Sequence, residues 1–251
     1  MRQTSSSSGY LTSDSVPNGV RWLLIINTAL FLLYFLARLA GYDSLFYPFG
    51  LIPSDVLGSF KIWQLFTYLF LHNPGDFWHI LFNMLSLWMF GAELERTWGR
   101  RVFLRYYFLC GIGAGICVVL GNAMFGNTAV RTIGASGAIY GLLLAWGVLW
   151  PDRIVLFSFL FPIKVKYMVM IMGGIAFLSA IASSGGGTVS HIAHLGGMVF
   201  GYLYLKGLVN LRTNFSPQAW ARQRYHEYRM ARAKRKFQVY MKKHDRDPYV
   251  H

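Results

Sequence analysis

Apolar residues do not alternate with polar ones along this chain; they gather in long runs near residues 21–40, 78–93, 102–121, 135–150, 167–183 and 190–209. Runs of this length with few charges are predicted to be membrane-crossing helices, not the one-sided helices of a soluble core. The expected fold is an all-α membrane protein, a bundle of six transmembrane helices over 20–211. A Ser/Gly/Pro-rich lead over 1–19 is expected to be disordered, and 212–251 forms a basic tail. Between the first two runs, 41–77 is rich in aromatics and poor in charge. It is predicted to be an amphipathic hairpin lying partly in the membrane interface, where Trp and Tyr prefer to sit.

The fourth run carries more information in its length. Residues 135–150 make about 24 Å of helix, against a hydrocarbon core about 30 Å thick. If its end near Pro151 sits at one interface, its start lies below the opposite surface, and the preceding segment dips to reach it. Irregular backbone at that depth is tolerated only inside protein or beside a water-filled cavity. Ser136 is therefore expected at the floor of a wet pocket.

Charge sets the orientation. All 24 Lys and Arg except Arg38, Lys61 and Arg131 fall on the side of the termini, which places both termini in the cytoplasm. The expected location is a cell membrane, plasma or inner, with the lipid bilayer as the first partner. The net charge of +14 is accounted for in this way and calls for no nucleic acid. The tail opens with Ser216-Pro217, a good helix start. It is either a basic helix on anionic lipid or a solvated tail. Cys110 and Cys117 lie seven residues apart in one run, too far for a disulfide.

Candidate chemistry comes from the polar residues left at membrane depth. Gly134-Ala135-Ser136-Gly137 opens the fourth helix, where free N–H groups and the positive dipole end can hold an oxyanion. Small residues in membrane helices more often serve close packing. Gly137 and Gly141 on one helix, and Gly197 and Gly201 on another, form two ridges able to meet, with His194 on the face of the second. His79 and Asn83 share a face of the second helix. None of the ten acidic residues sits mid-span, which argues against an aspartyl protease or a proton-coupled carrier. No His-Glu-x-x-His zinc motif is present, and no cofactor or metal is expected. What remains at depth is Ser136 with His79, Asn83, Tyr140, His191 and His194, enough for a serine activated by a histidine with no carboxylate available, and Tyr140, one turn on from Ser136, is placed to pack against the His194 imidazole.

In these pieces the chain resembles the rhomboid intramembrane serine proteases. The matching residues are Trp63, His79-x-x-x-Asn83, Glu95-x-x-x-Gly99, Gly134-Ala-Ser136-Gly137 with Tyr140, and Ala193-His194-x-Gly-Gly197-x-x-x-Gly201. The resemblance implies Ser136 as nucleophile and His194 as general base. It implies an oxyanion hole from His79, Asn83 and the Ser136 N–H, and transmembrane helices of other proteins as substrates. The alternative is a catalytically inactive rhomboid-like protein that binds membrane proteins. In this family the first-loop Trp is often followed by Arg; here Gln64 stands there, which leaves open how that loop is anchored. The uncharged loop 183–188 is either a lid or a plain connector.

Overall fold

The computed structural model describes residues 16–125, 128–157, 161–182, 191–211 and Met230. The expected disorder of 1–19 falls almost entirely outside these residues, as do the loop 183–188 and nearly all of the tail. The chain divides into two compact units, 1–204 and 205–251, and the first holds all but a few of the described residues.

The fold is mostly helical. Helix α1 spans Asn18–Leu39 and α2 Pro53–Ser59. Next come α3, Gln64–Thr67, and α4, Phe77–Ser86. A π-helical turn, Leu87–Gly91, carries α4 into α5, Ala92–Trp98. Then follow α6, Arg100–Phe125, and α7, Ser136–Leu149. The last two helices are α8, Val165–Ala182, and α9, His191–Leu211. By length and composition, Asn18–Leu39 and Arg100–Met124 qualify as membrane spans, and Ser136–Leu149 and Val165–Ile181 are shorter apolar helices.

Two features stand out. The segment 41–76 is a chain of short helical pieces, 43–49, α2, α3 and 68–70, with Pro48 inside the first, Gly50 after it, Pro53 starting α2 and Phe60, in the left-handed region, ending it. Proline removes a donor and Gly frees the backbone, so no long helix or continuous strand forms there. The fold is also not purely helical. An antiparallel ribbon, β1 (Ile154–Phe157) with β2 (Phe161–Lys164), joins α7 to α8 in the register Ile154↔Lys164. Its β-branched and aromatic residues, too few for a helix after Pro151-Asp152, suit a pleated pair.

Helix α1 begins with unpartnered N–H groups, and Glu95 of α5 supplies the acceptor. Its carboxylate takes the N–H of Gly19 at 2.8 Å and that of Val20 at 2.7 Å while only 5% exposed. A side chain at position 19 would strike that carboxylate. Helix α5 itself ends at Gly99, φ 77°, a conformation suited to glycine. The Glu95-x-x-x-Gly99 element is thus a helix-end device tying two elements together. Elsewhere Tyr68, Tyr106 and Tyr107 are buried; the Tyr68 hydroxyl donates to Gly111 O at 2.6 Å and that of Tyr106 to Gly141 O at 2.7 Å.

Candidate active site

The approach to Ser136 is held before the helix begins. Thr132 pairs with Leu51 of the first loop in an isolated β-bridge. Two residues on, Gly134 donates its N–H to Tyr68 O at 2.9 Å. Gly134 has φ +123°, a conformation side chains rarely adopt, and a Cβ there would lie 2.8 Å from His79 Nε2. Only glycine lets the backbone pass the imidazole. Ser136 is then the first residue of α7, where N–H groups have no intrahelical acceptors.

Helices α7 and α9 touch through glycine. A Cβ on Gly197 would fall on the carbonyl oxygen of Gly137, and one on Gly137 would meet Ala114 at 2.6 Å. A Cβ on Gly201 would lie 2.5 Å from the Tyr106 hydroxyl. Backbones this close bring the two helix starts to one depth. His194 Nε2 lies 2.9 Å from Ser136 Oγ. His194 is buried, and its Nδ1 has no hydrogen-bond partner among the described residues. The Tyr140 ring stacks on it, centroids 4.1 Å apart and planes 5° from parallel. His191 meets its edge at 6.0 Å.

From α4, His79 and Asn83 face the same pocket. Asn83 is 6% exposed and gives one amide hydrogen to His79 O at 2.6 Å. Its Oδ1 has no partner among the described residues. An amide NH₂ has two hydrogens, so one remains free to donate. Asp76 accepts the His79 N–H at 3.2 Å and starts the helix that presents both residues. Ser136, His194, His79, Asn83 and Tyr140 together line a pocket of about 740 Å³, with Trp78 and Met172 among its apolar walls. Among the described residues no three His, Cys, Asp or Glu side chains converge as a metal site.

The structure adds residues that spacing alone does not reveal. His72 is fully buried, its ring centroid 5.2 Å from that of His79, and burial pushes its imidazole down to about 3, so it stays neutral. Arg131 donates to the Tyr34 hydroxyl at 3.0 Å and to Phe46 O at 2.7 Å, and its guanidinium lies 4.8 Å from the Tyr47 ring centre. It ties α1, the first loop and the approach to Ser136 together. Gln64 is fully buried and bonded to the same loop. These contacts join residues far apart in the chain, and no local pattern announces them.

The sequence matches a Rhomboid domain family model over residues 59–210. It is 34% identical over 131 residues to Rhomboid protein 1, mitochondrial, of Saccharomyces cerevisiae, covering 51% of this chain and 37% of that protein. It is 30% identical over 154 residues to the rhomboid protease GluP of Bacillus subtilis, covering 61% of this chain and 27% of that protein. It is 27% identical over 184 residues to the rhomboid protease GlpG of Haemophilus influenzae, covering 72% and 88%. The yeast and Bacillus proteins are therefore far longer than the part this chain spans.

Proposed function

This chain belongs to the rhomboid family, and on that premise we propose that it is an intramembrane serine endopeptidase working through a Ser136–His194 dyad. The observation that carries the reading is the 2.9 Å separation of His194 Nε2 and Ser136 Oγ, both in the lining of the pocket. In the first half of the reaction His194 Nε2 takes the hydroxyl proton as Ser136 Oγ bonds to the scissile carbonyl carbon. The carbonyl oxygen becomes an oxyanion, held by the Ser136 N–H, the free Asn83 amide hydrogen and His79. His194 then gives its proton to the amide nitrogen, the C–N bond breaks, and an acyl-enzyme remains. In the second half His194 takes a proton from water, the resulting hydroxide attacks the ester, and the proton returns to Ser136.

No carboxylate steadies the imidazole in this scheme. The stacked Tyr140 ring sets its plane, and Nε2 is the nitrogen that accepts the serine proton. The substrates are transmembrane segments of other proteins, bent into the pocket near their outer ends. Six spans with both termini in the cytoplasm fit the charge distribution. The experiment is fluorophosphonate labelling of the purified protein followed by mapping of the adduct. A covalent adduct on Ser136, lost in His194→Ala, supports the dyad; a folded protein that takes up no probe removes it.

A further inference from the structure

The first loop makes a tight turn over 46–55 that is gripped from two sides. On one side is Gln64, the first residue of α3. Its Oε1 accepts the Ile52 N–H at 2.9 Å. Its Nε2 donates to Pro48 O at 3.3 Å and to Asp55 Oδ2 at 3.1 Å. Lys61 donates to that same oxygen at 2.9 Å and holds the Asp55 carboxyl below the usual carboxylate range, so the group Gln64 meets is an anion. All the bonding capacity of the Gln64 NH₂ is thus directed at this turn. On the other side is the backbone that leads to the nucleophile. Leu51 and Thr132 exchange both backbone bonds, at 2.9 and 2.8 Å, and Ser54 N–H donates to Thr128 O at 2.9 Å. Gly50 is packed so closely on Arg131 that a Cβ there would strike its guanidinium. The turn therefore cannot shift toward 128–132 without displacing it.

We propose that Gln64 is a positioning residue for Ser136. Its three hydrogen bonds set the 48–55 turn, and the Leu51–Thr132 bridge passes that setting to the backbone that delivers the serine. Trp63 Nε1 also donates to Pro48 O, at 3.1 Å, but from an exposed position. Pro48 O thus has a second donor and Asp55 keeps Lys61, whereas the Ile52 N–H depends on the Gln64 amide. Removing it leaves the part-buried Ile52 N–H without its partner and cuts the ties from α3 to Pro48 O and Asp55, and the turn relaxes to recover the lost bond. A displacement of about 1 Å at a nucleophile is enough to cost about a hundredfold in rate. The inference rests on the reading of Ser136 as the nucleophile.

The test uses two variants of the full chain. Gln64→Met keeps the size and removes every hydrogen bond. Gln64→Glu keeps an acceptor, loses the donors and sets a second carboxylate against Asp55. The rate of fluorophosphonate labelling at Ser136 is measured on folded protein, with KM for a transmembrane substrate. Hydrogen exchange of peptides covering 128–135 is read in parallel. Expected for Gln64→Met is labelling slowed by about tenfold to about a hundredfold, with KM within about twofold. Gln64→Glu shows the same defect at about pH 8. Its ratio to wild type rises toward about pH 5, because the protonated carboxyl regains a donor. Wild-type labelling rates in both variants, or a ratio flat with pH, overturn the proposal even if both melt earlier. If Gln64→Met does not fold, the pH ratio of Gln64→Glu decides. If wild type itself is never labelled, the proposed function fails. Exchange over 128–135 then judges Gln64 alone: faster in the variants supports its role, unchanged overturns it.

Discussion

The imidazole of His194 and the phenol ring of Tyr140 lie face to face, 4.1 Å between centroids and 5° from parallel, while His194 Nδ1 has no partner among the described residues. The ring's orientation therefore depends on stacking. A stacked aromatic pair contributes about 0.5–1.5 kcal/mol. Tyr140→Phe keeps the stack and is expected to hold kcat within about twofold of wild type; Tyr140→Ala is expected to lower it by about tenfold. Steady-state cleavage of one substrate by both variants checks this, and a Phe variant as poor as the Ala variant points to the hydroxyl instead.

Ser136 and His194 act as a unit in the proposed mechanism, so their losses do not add. Ser136→Ala and His194→Ala each abolish cleavage with the fold intact, and the double variant is no worse than either. Residual cleavage in Ser136→Ala that His194→Ala removes, measured on protein of wild-type melting temperature, is incompatible with a serine nucleophile.

Asn83 has one amide hydrogen committed to His79 O and one free. Removing an oxyanion donor typically costs about 10²–10³ in kcat. Substrate binding changes less, because the oxyanion forms only after binding, as the serine adds to the carbonyl. Asn83→Ala and His79→Ala are expected to lower kcat on this scale with small changes in KM. A purely structural role predicts an earlier melt with near-normal activity, so melting temperature and kcat on the same samples separate the two.

Gly197 and Gly201 lie on one face of α9 but meet different neighbours. A Cβ on Gly197 strikes the backbone carbonyl of Gly137, which cannot move without moving α7; one on Gly201 meets the far end of the Tyr106 side chain. Overpacking of this kind costs about 1–3 kcal/mol, and more where the backbone cannot yield. Gly197→Ala is expected to destabilise more than Gly201→Ala and to slow Ser136 labelling as well. Thermal unfolding in detergent ranks the two, and equal effects contradict the assignment.

Orientation is tested by reporter fusions. A reporter after Tyr249 is expected in the cytoplasm and one inserted at Gly186 on the opposite side, the orientation that the distribution of Lys and Arg favours. Reversed labelling excludes the proposed topology.

The apolar runs, the glycine spacing and the serine at a helix start are local properties, and the sequence alone determines them. A helix repeats every 3.6 residues, so Gly137 with Gly141, and His194 with Gly197 and Gly201, declare their shared faces without a partner in view. Those faces, taken with the resemblance to the rhomboid proteases, single out Ser136 and His194 as candidates, and the structure sets their polar atoms 2.9 Å apart. The first loop was not legible in the same way. Its conformation comes from short helical pieces ending at Gly50 and Phe60 and from contacts with residues far along the chain, Leu51 with Thr132 and Phe46 with Arg131. Glu95 reads as an ordinary helix-end carboxylate until the start of α1 is beside it. Gln64 reads as a departure from a motif, whereas the folded chain makes its amide the hinge pin of a turn. Tertiary structure decided these because a hydrogen bond between distant segments has no period in sequence; it exists only once packing has brought donor and acceptor together.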